Sequence, residues 1–182
     1  MNPVASPNDV LAFWRAAGPK KWFTKSAAFD AEISARFLST YQAAAAGTLA
    51  AWEADAEGAL ALVIVLDQFP RNMFRGNARA FAADPLARAV ADRAIVRGFD
   101  QETKSSLRGF FYLPFEHSEN LADQERCVAL ARATGDADAL KWADIHADII
   151  RRFGRFPHRN AILGRTTTAA EQAFLDEGGF AG

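Results

Sequence analysis

No stretch of this chain sustains the alternation of apolar and polar residues that a half-buried strand requires, while helix starts and stops recur along its whole length. Ser6-Pro7-Asn8-Asp9 reads as a helix opening, with Ser6 as N-cap and Pro7 in the first turn, where a missing N–H costs nothing. Gly18-Pro19 stops that helix. A second spans about 26–46, with Phe29, Ile33 and Phe37 on one face and Gly47 just past its end. Thr48 is placed to cap a short segment carrying Leu49 and Trp52. Residues 59–66 (ALALVIVL) form the one ambiguous run: continuous apolar character suits a buried strand, but a lone strand would find no partner, so the run is read as a buried helix.

Asp84-Pro85 opens the next helix, and Gly98 follows it. A short helix leads to Leu113, because the residue before Pro114 is biased out of the helical region. Further helices cover 121–133 and 136–153, the second with Trp142, Ile145, Ile149 and Phe153 along one stripe. Thr168-Ala169-Ala170-Glu171 is a capping box for the last helix, which Gly178-Gly179 ends. The sum is an all-α chain of about eight helices with short connections.

At 182 residues the chain suits a single helical domain, 1–182. Half of its residues are apolar, which excludes a disordered chain. With 21 basic and 22 acidic residues the formal charge is −1, and this argues against a general nucleic-acid binder, whose affinity comes from surplus cations. Cys127 is the only cysteine, so neither a disulfide framework nor a thiolate metal cage can form. No basic-then-apolar leader is visible, nor an apolar run near the ~20 residues of a membrane span. A cytoplasmic protein is expected, with neither nucleic acid nor membrane among its partners.

The basic residues are unevenly chosen and unevenly placed. Only five are Lys and sixteen are Arg, and two Arg clusters lie where helices are expected to break. The first is Asp67-Gln68-Phe69-Pro70-Arg71-Asn72-Met73-Phe74-Arg75. The second runs from Arg151 to Arg165 with five Arg and no acid, and its Phe156-Pro157-His158-Arg159-Asn160 echoes Phe69-Pro70-Arg71-Asn72. Proline in a first helical turn leaves the following N–H groups pointing outward at the positive end of the helix dipole. Arg adds a planar fork suited to carboxylate or phosphate. On this reading Asp67, Gln68, Arg71, Asn72, Arg75, Arg155, Arg159 and Asn160 line a pocket for a small anionic molecule. The competing reading is structural: helix ends leave carbonyls without partners, and Arg71, Asn72, Arg155, Arg159 and Asn160 supply the donors that staple them, with Asp67 as one counter-charge.

Pro114-Phe115-Glu116-His117-Ser118-Glu119 is the second constellation. A histidine between two carboxylates could act as a general base, so His117, Glu119 and His158 are the candidates for proton transfer. The plainer alternative has Ser118 or Asn120 capping the next helix, with Glu119 favouring its dipole. His117, His146 and His158 with Glu116 or Glu119 could in principle hold a divalent metal, but no two histidines show the i, i+4 pairing of a zinc-protease helix, and no metal or cofactor is expected. Gly-rich phosphate loops and a Gly-x-Ser-x-Gly elbow are absent. Cys127, inside an expected helix, reads as packed rather than reactive.

Taken together, Leu66-Asp67-Gln68-Phe69-Pro70-Arg71-Asn72, Pro114-Phe115-Glu116-His117-Ser118-Glu119 and Arg152-Phe153-Gly154-Arg155-Phe156-Pro157-His158-Arg159-Asn160 resemble a bacterial family known as domain of unknown function 924. Trp22-Phe23, Phe29-Asp30 and Leu163-Gly164-Arg165 fit the same pattern, so the likeness covers about Val10 to Gly179. The resemblance implies a tetratricopeptide-like α/α superhelix and brings no reaction or site residues with it. Two functions follow as expectations: a pocket for a small anionic molecule, with or without catalysis, and a helical module that grips a protein or peptide partner. A tetratricopeptide-like fold alone does not choose between them.

Overall fold

The computed structural model describes residues 3–180, apart from the side chain of residue 105. Among the described residues all regular structure is helical, and no strand occurs. The chain groups into two compact units, Met1–Arg75 with Arg79–Pro114, and Gly76–Ala78 with Phe115–Gly182.

The first unit begins with α1 (Pro7–Ala17), where the Ser6 hydroxyl accepts the Asp9 N–H and the Asp9 carboxylate accepts the Ser6 N–H, a closed capping box. α2 (Pro19–Trp22) and α3 (Ala27–Ala45, capped by Ser26) follow. Thr48 does not cap the next segment: its hydroxyl turns back to donate to the Ala43 carbonyl at 2.9 Å. The 3-10 segment Ala50–Ala54 starts without a side-chain cap, and Asp55 caps α4 (Ala56–Val63) instead. α4 packs on α1, on α6 (Asp84–Val96) and on the 3-10 segment before it, and it is buried on every side from Gly58 to Val63. That is why its sequence lacks a polar face. Gly58 is required there, because a Cβ would collide with the Trp52 carbonyl.

After α4 the helix does not break at Phe69-Pro70. It widens into a π turn, Ile64–Gln68, with the Phe69 N–H donating to the Ile64 carbonyl, and continues as α5 (Phe69–Met73). The cause lies in Pro70, whose ring would press on the carbonyl four residues back in an α register and which has no N–H to give it. α7 (Phe99–Glu102), α8 (Ser105–Arg108), the 3-10 turn Gly109–Phe111 and α9 (Leu113–Glu116) lead out of the unit. Its core is aromatic: Trp14 stacks on Phe29 and meets Phe69 and Phe110 edge-on.

The second unit is built on a pair of packed helices, α10 (Leu121–Thr134) and α11 (Ala137–Phe153), joined through Gly135 at φ 74°. Asn120, not Ser118, caps α10, and Asp136 caps α11. A 3-10 turn, Pro157–Arg159, and α12 (Ala169–Asp176) with its Thr168–Glu171 capping box complete it. Ile149, Ile150 and Phe156 form its core with Ile145, Phe153, Phe174 and Phe180 against them.

Candidate functional site

The π turn carries Asp67 and Gln68 into the interior of the first unit, where both are buried. Gln68 donates to the Asp67 carboxylate at 2.6 Å. One turn on, Arg71 bonds the Asp67 main-chain carbonyl at 2.6 Å and grips Asp84 with both arms of its fork, at 2.9 and 3.1 Å. Asn72 and Arg75 converge on a different acid: Asn72 donates to Asp30 at 2.8 Å, and Arg75 holds the same carboxylate bidentately at 2.7 and 2.9 Å. Burial works to raise the Asp30 pKa, but the bonds from Arg75 and Asn72 outweigh it and hold the group below its ordinary value. The five candidates from this stretch thus sit together, each engaged with the protein's own acids.

In the second unit, Arg155 grips Glu171 at 2.6 and 2.9 Å and also donates to the Thr166 carbonyl. Asn160 and the Thr168 N–H share that carboxylate. Glu119, a candidate for proton transfer, is engaged elsewhere: Arg165 holds it at 2.7 and 3.0 Å and the Phe156 N–H donates to it at 2.9 Å. Burial pushes the Glu119 pKa up, and Arg165 with the Phe156 amide pull it below the usual range, so the group stays ionised near neutrality. Gln124, fully buried, donates to the Glu116 and Ser118 carbonyls and fixes the turn that carries His117.

A polar cluster of another kind surrounds Arg159. Its guanidinium stacks on Phe156, 4.4 Å from the ring centre, and donates to the His117 carbonyl at 3.0 Å. His158 lies between Phe156 and Phe180, with ring centres 5.6 and 5.3 Å away, and Phe180 also covers His146 at 4.5 Å. His146 Nδ1 stands 2.8 Å from the Trp142 carbonyl; a carbonyl only accepts, so this nitrogen carries a proton. Burial, with the cation of Arg159 adding to it, pushes both His146 and His158 down to about 4. Both imidazoles are therefore uncharged at neutral pH. The His158 Nδ1 is buried and has no hydrogen-bond partner among the described residues.

Glu116 lies 3.5 Å from His146 Nδ1 and 4.0 Å from the Cys127 sulfur. Burial first, then the Glu116 charge, raise the Cys127 thiol well above its ordinary value. A thiol-specific disulfide reagent is expected to leave Cys127 unmodified in the folded protein and to modify it fully in denaturant. Rapid modification of the folded chain would contradict the burial. Among the described residues no group of His, Cys, Asp and Glu is arranged to hold a metal ion.

The family pattern of a bacterial protein of unknown function, DUF924, matches residues 10–179. The chain belongs to that family. A solved structure of the protein of unknown function ATU0120 from Agrobacterium tumefaciens is 51% identical to this DUF924 chain, with a TM-score of 0.91 over 94% of this chain and 97% of that one. A comparison with curated proteins finds no match. No helix of this DUF924 protein, among the described residues, is long and apolar enough to cross a membrane.

Reading the sequence supplied Asp67, 3.4 Å from Arg71, but not the other acids that answer the Arg clusters. Asp30 reaches Arg75 across 45 residues, and Glu171 reaches Arg155 across 16. The available signal was the acid-free run from Arg151 to Arg165, which demands carboxylates from elsewhere in the DUF924 chain. Phe180 was likewise missed; nothing in its surroundings, a Gly-Gly pair and small residues, marks it as a cover for two histidines.

Proposed function

We propose that the second unit binds a small anionic molecule at Arg159 and His158, with His117 and His146 beside them and Phe156 and Phe180 as apolar walls. The observation that carries this reading is the buried His158 Nδ1 without a partner, since a buried polar atom left unmatched costs about 1–3 kcal/mol and a ligand group would relieve it. Arg159 supplies the positive charge, and Phe156 orients its fork by stacking. The Arg71, Arg75 and Arg155 forks hold carboxylates, which favours helix bracing for them.

Such a site couples binding to protons. An anion next to His158 favours its charged form, so the ring takes up a proton on binding and affinity rises as pH falls from neutrality toward the free-state value of about 4.

The test is a thermal-shift screen against small carboxylates and phosphate esters at pH 5.5 and 7.5. A ligand at about 100 times its Kd adds about 2.7 kcal/mol, which raises Tm by roughly 5–10 °C in a chain of this size. The shift is expected to be larger at the lower pH and to disappear in His158→Ala. A shift that survives His158→Ala, or silence across the series at both pH values, would sink the proposal.

A further inference from the structure

We infer that the first unit carries a docking surface for an anionic lipid bilayer, formed by α2 and the turn that follows it. From Arg15 to Phe29 the sequence has four cations and no acid, in a chain whose total charge is −1. Three of the five lysines fall here, at Lys20, Lys21 and Lys25. Arg15 is paired with Glu57 at 2.8 Å, but the three lysines are exposed and none has a carboxylate partner among the described residues. Elsewhere in this unit Arg71, Arg75 and Arg93 are neutralised by Asp84, Asp30 and Glu53. The lysine cluster is a run of positive charge without carboxylate partners among the described residues.

A large apolar group stands in its middle. Phe23 is 70% exposed, yet its ring is held in place, stacked on Phe110 with an 11° tilt and edge-on to Trp22. Trp22 is in turn fixed by its Nε1, which donates to the Trp14 carbonyl at 2.7 Å, and by edge-on packing against Phe110. The Thr24 hydroxyl donates to the Lys20 carbonyl and extends the helical turn, which sets Lys20 beside Phe23 three positions on. The result is an exposed aromatic tip within a run of exposed lysines, of which Lys21 also lies over the Phe29 ring at 5.7 Å.

A bilayer surface fits that tip better than other anionic partners. Aromatic rings settle at headgroup depth, and each lysine close to an anionic leaflet adds attraction worth about fivefold in affinity. A peptide would be received in a groove, whereas Phe23 projects. A nucleic-acid strand would follow a track of cations, whereas these lie within six residues. The expectation of no membrane partner came from the lack of a spanning segment, which does not bear on a surface-bound contact.

Flotation with phosphatidylcholine vesicles, with and without phosphatidylserine, tests the assignment. The protein is expected to float with the serine-containing vesicles only, and less of it as salt is raised. Lys20→Glu with Lys21→Glu is expected to weaken flotation at least tenfold. Phe23→Ala is expected to weaken it roughly tenfold while leaving the far-ultraviolet circular dichroism unchanged, because the ring is mostly in solvent. Absence of flotation, or flotation indifferent to both variants, overturns the proposal. So does tighter capture by a single-stranded oligonucleotide that is lost in the same variants, which would make the tip a base-stacking platform.

Discussion

Arg71→Ala is expected to lower the stability of the protein by about 3–5 kcal/mol, the cost of stranding buried charge. Asp67 is fully buried and Asp84 nearly so, and the Arg71 guanidinium stands 3.4 Å from the first and grips the second with both arms of its fork. Two carboxylates without their cation cannot regain water where they sit, and they repel each other as well. In urea the midpoint should fall with the slope unchanged, because the same surface is exposed on unfolding. Adding Asp67→Asn and Asp84→Asn to Arg71→Ala should recover part of the loss by removing the stranded charges. A loss below about 1 kcal/mol for Arg71→Ala would show that the cluster behaves as a surface pair, and it would return Arg71 to the set of groups open to a ligand.

The same residues show how far the sequence reaches. Local signals were enough for most helix ends: Ser6, Ser26, Asp136 and Thr168 cap, and Gly98, Gly135 and Gly154 stop, because each acts on its own few neighbours. The buried character of 59–66 was equally legible, since a helix enclosed on all sides has no polar stripe to display. Pro70 misled, because a proline within a long buried helix can be absorbed by a π turn instead of ending it. The choice depends on what Asp67 and Gln68 meet inside.

The candidate site was legible in its residue types and not in its pairings. Arg155 and Glu171 are brought together by the fold of the 154–168 loop, and no local pattern encodes the distance. Spacing also could not separate Arg159, stacked over Phe156 beside two neutral histidines, from Arg155, whose fork is filled by a carboxylate. The low pKa of His146 likewise depends on α11 turning that ring inward, and Trp142, one turn earlier in the same helix, stays half exposed.

Glu171 carries the second large effect, and its sign depends on pH. Hydrogen bonds from Arg155, then from the Thr168 amide and hydroxyl, outweigh burial and hold its carboxyl down to about 2, against an ordinary value of 4.5. A group whose folded pKa is depressed stabilises the fold above its unfolded pKa and stops doing so as pH falls through the folded one. Glu171→Gln keeps the shape and removes the charge. At pH 7 it is expected to cost about 1–2 kcal/mol, toward the low end for charge-assisted bonds because Arg155 is partly exposed and the pair is screened. Between about pH 5 and pH 2 the wild-type protein loses this contribution and the variant has none to lose, so their stabilities converge. Urea unfolding of both proteins from pH 7 down to pH 3 measures the gap. A gap that stays constant with pH would mean that Glu171 acts through its capping-box geometry alone, which the amide of Gln preserves only in part.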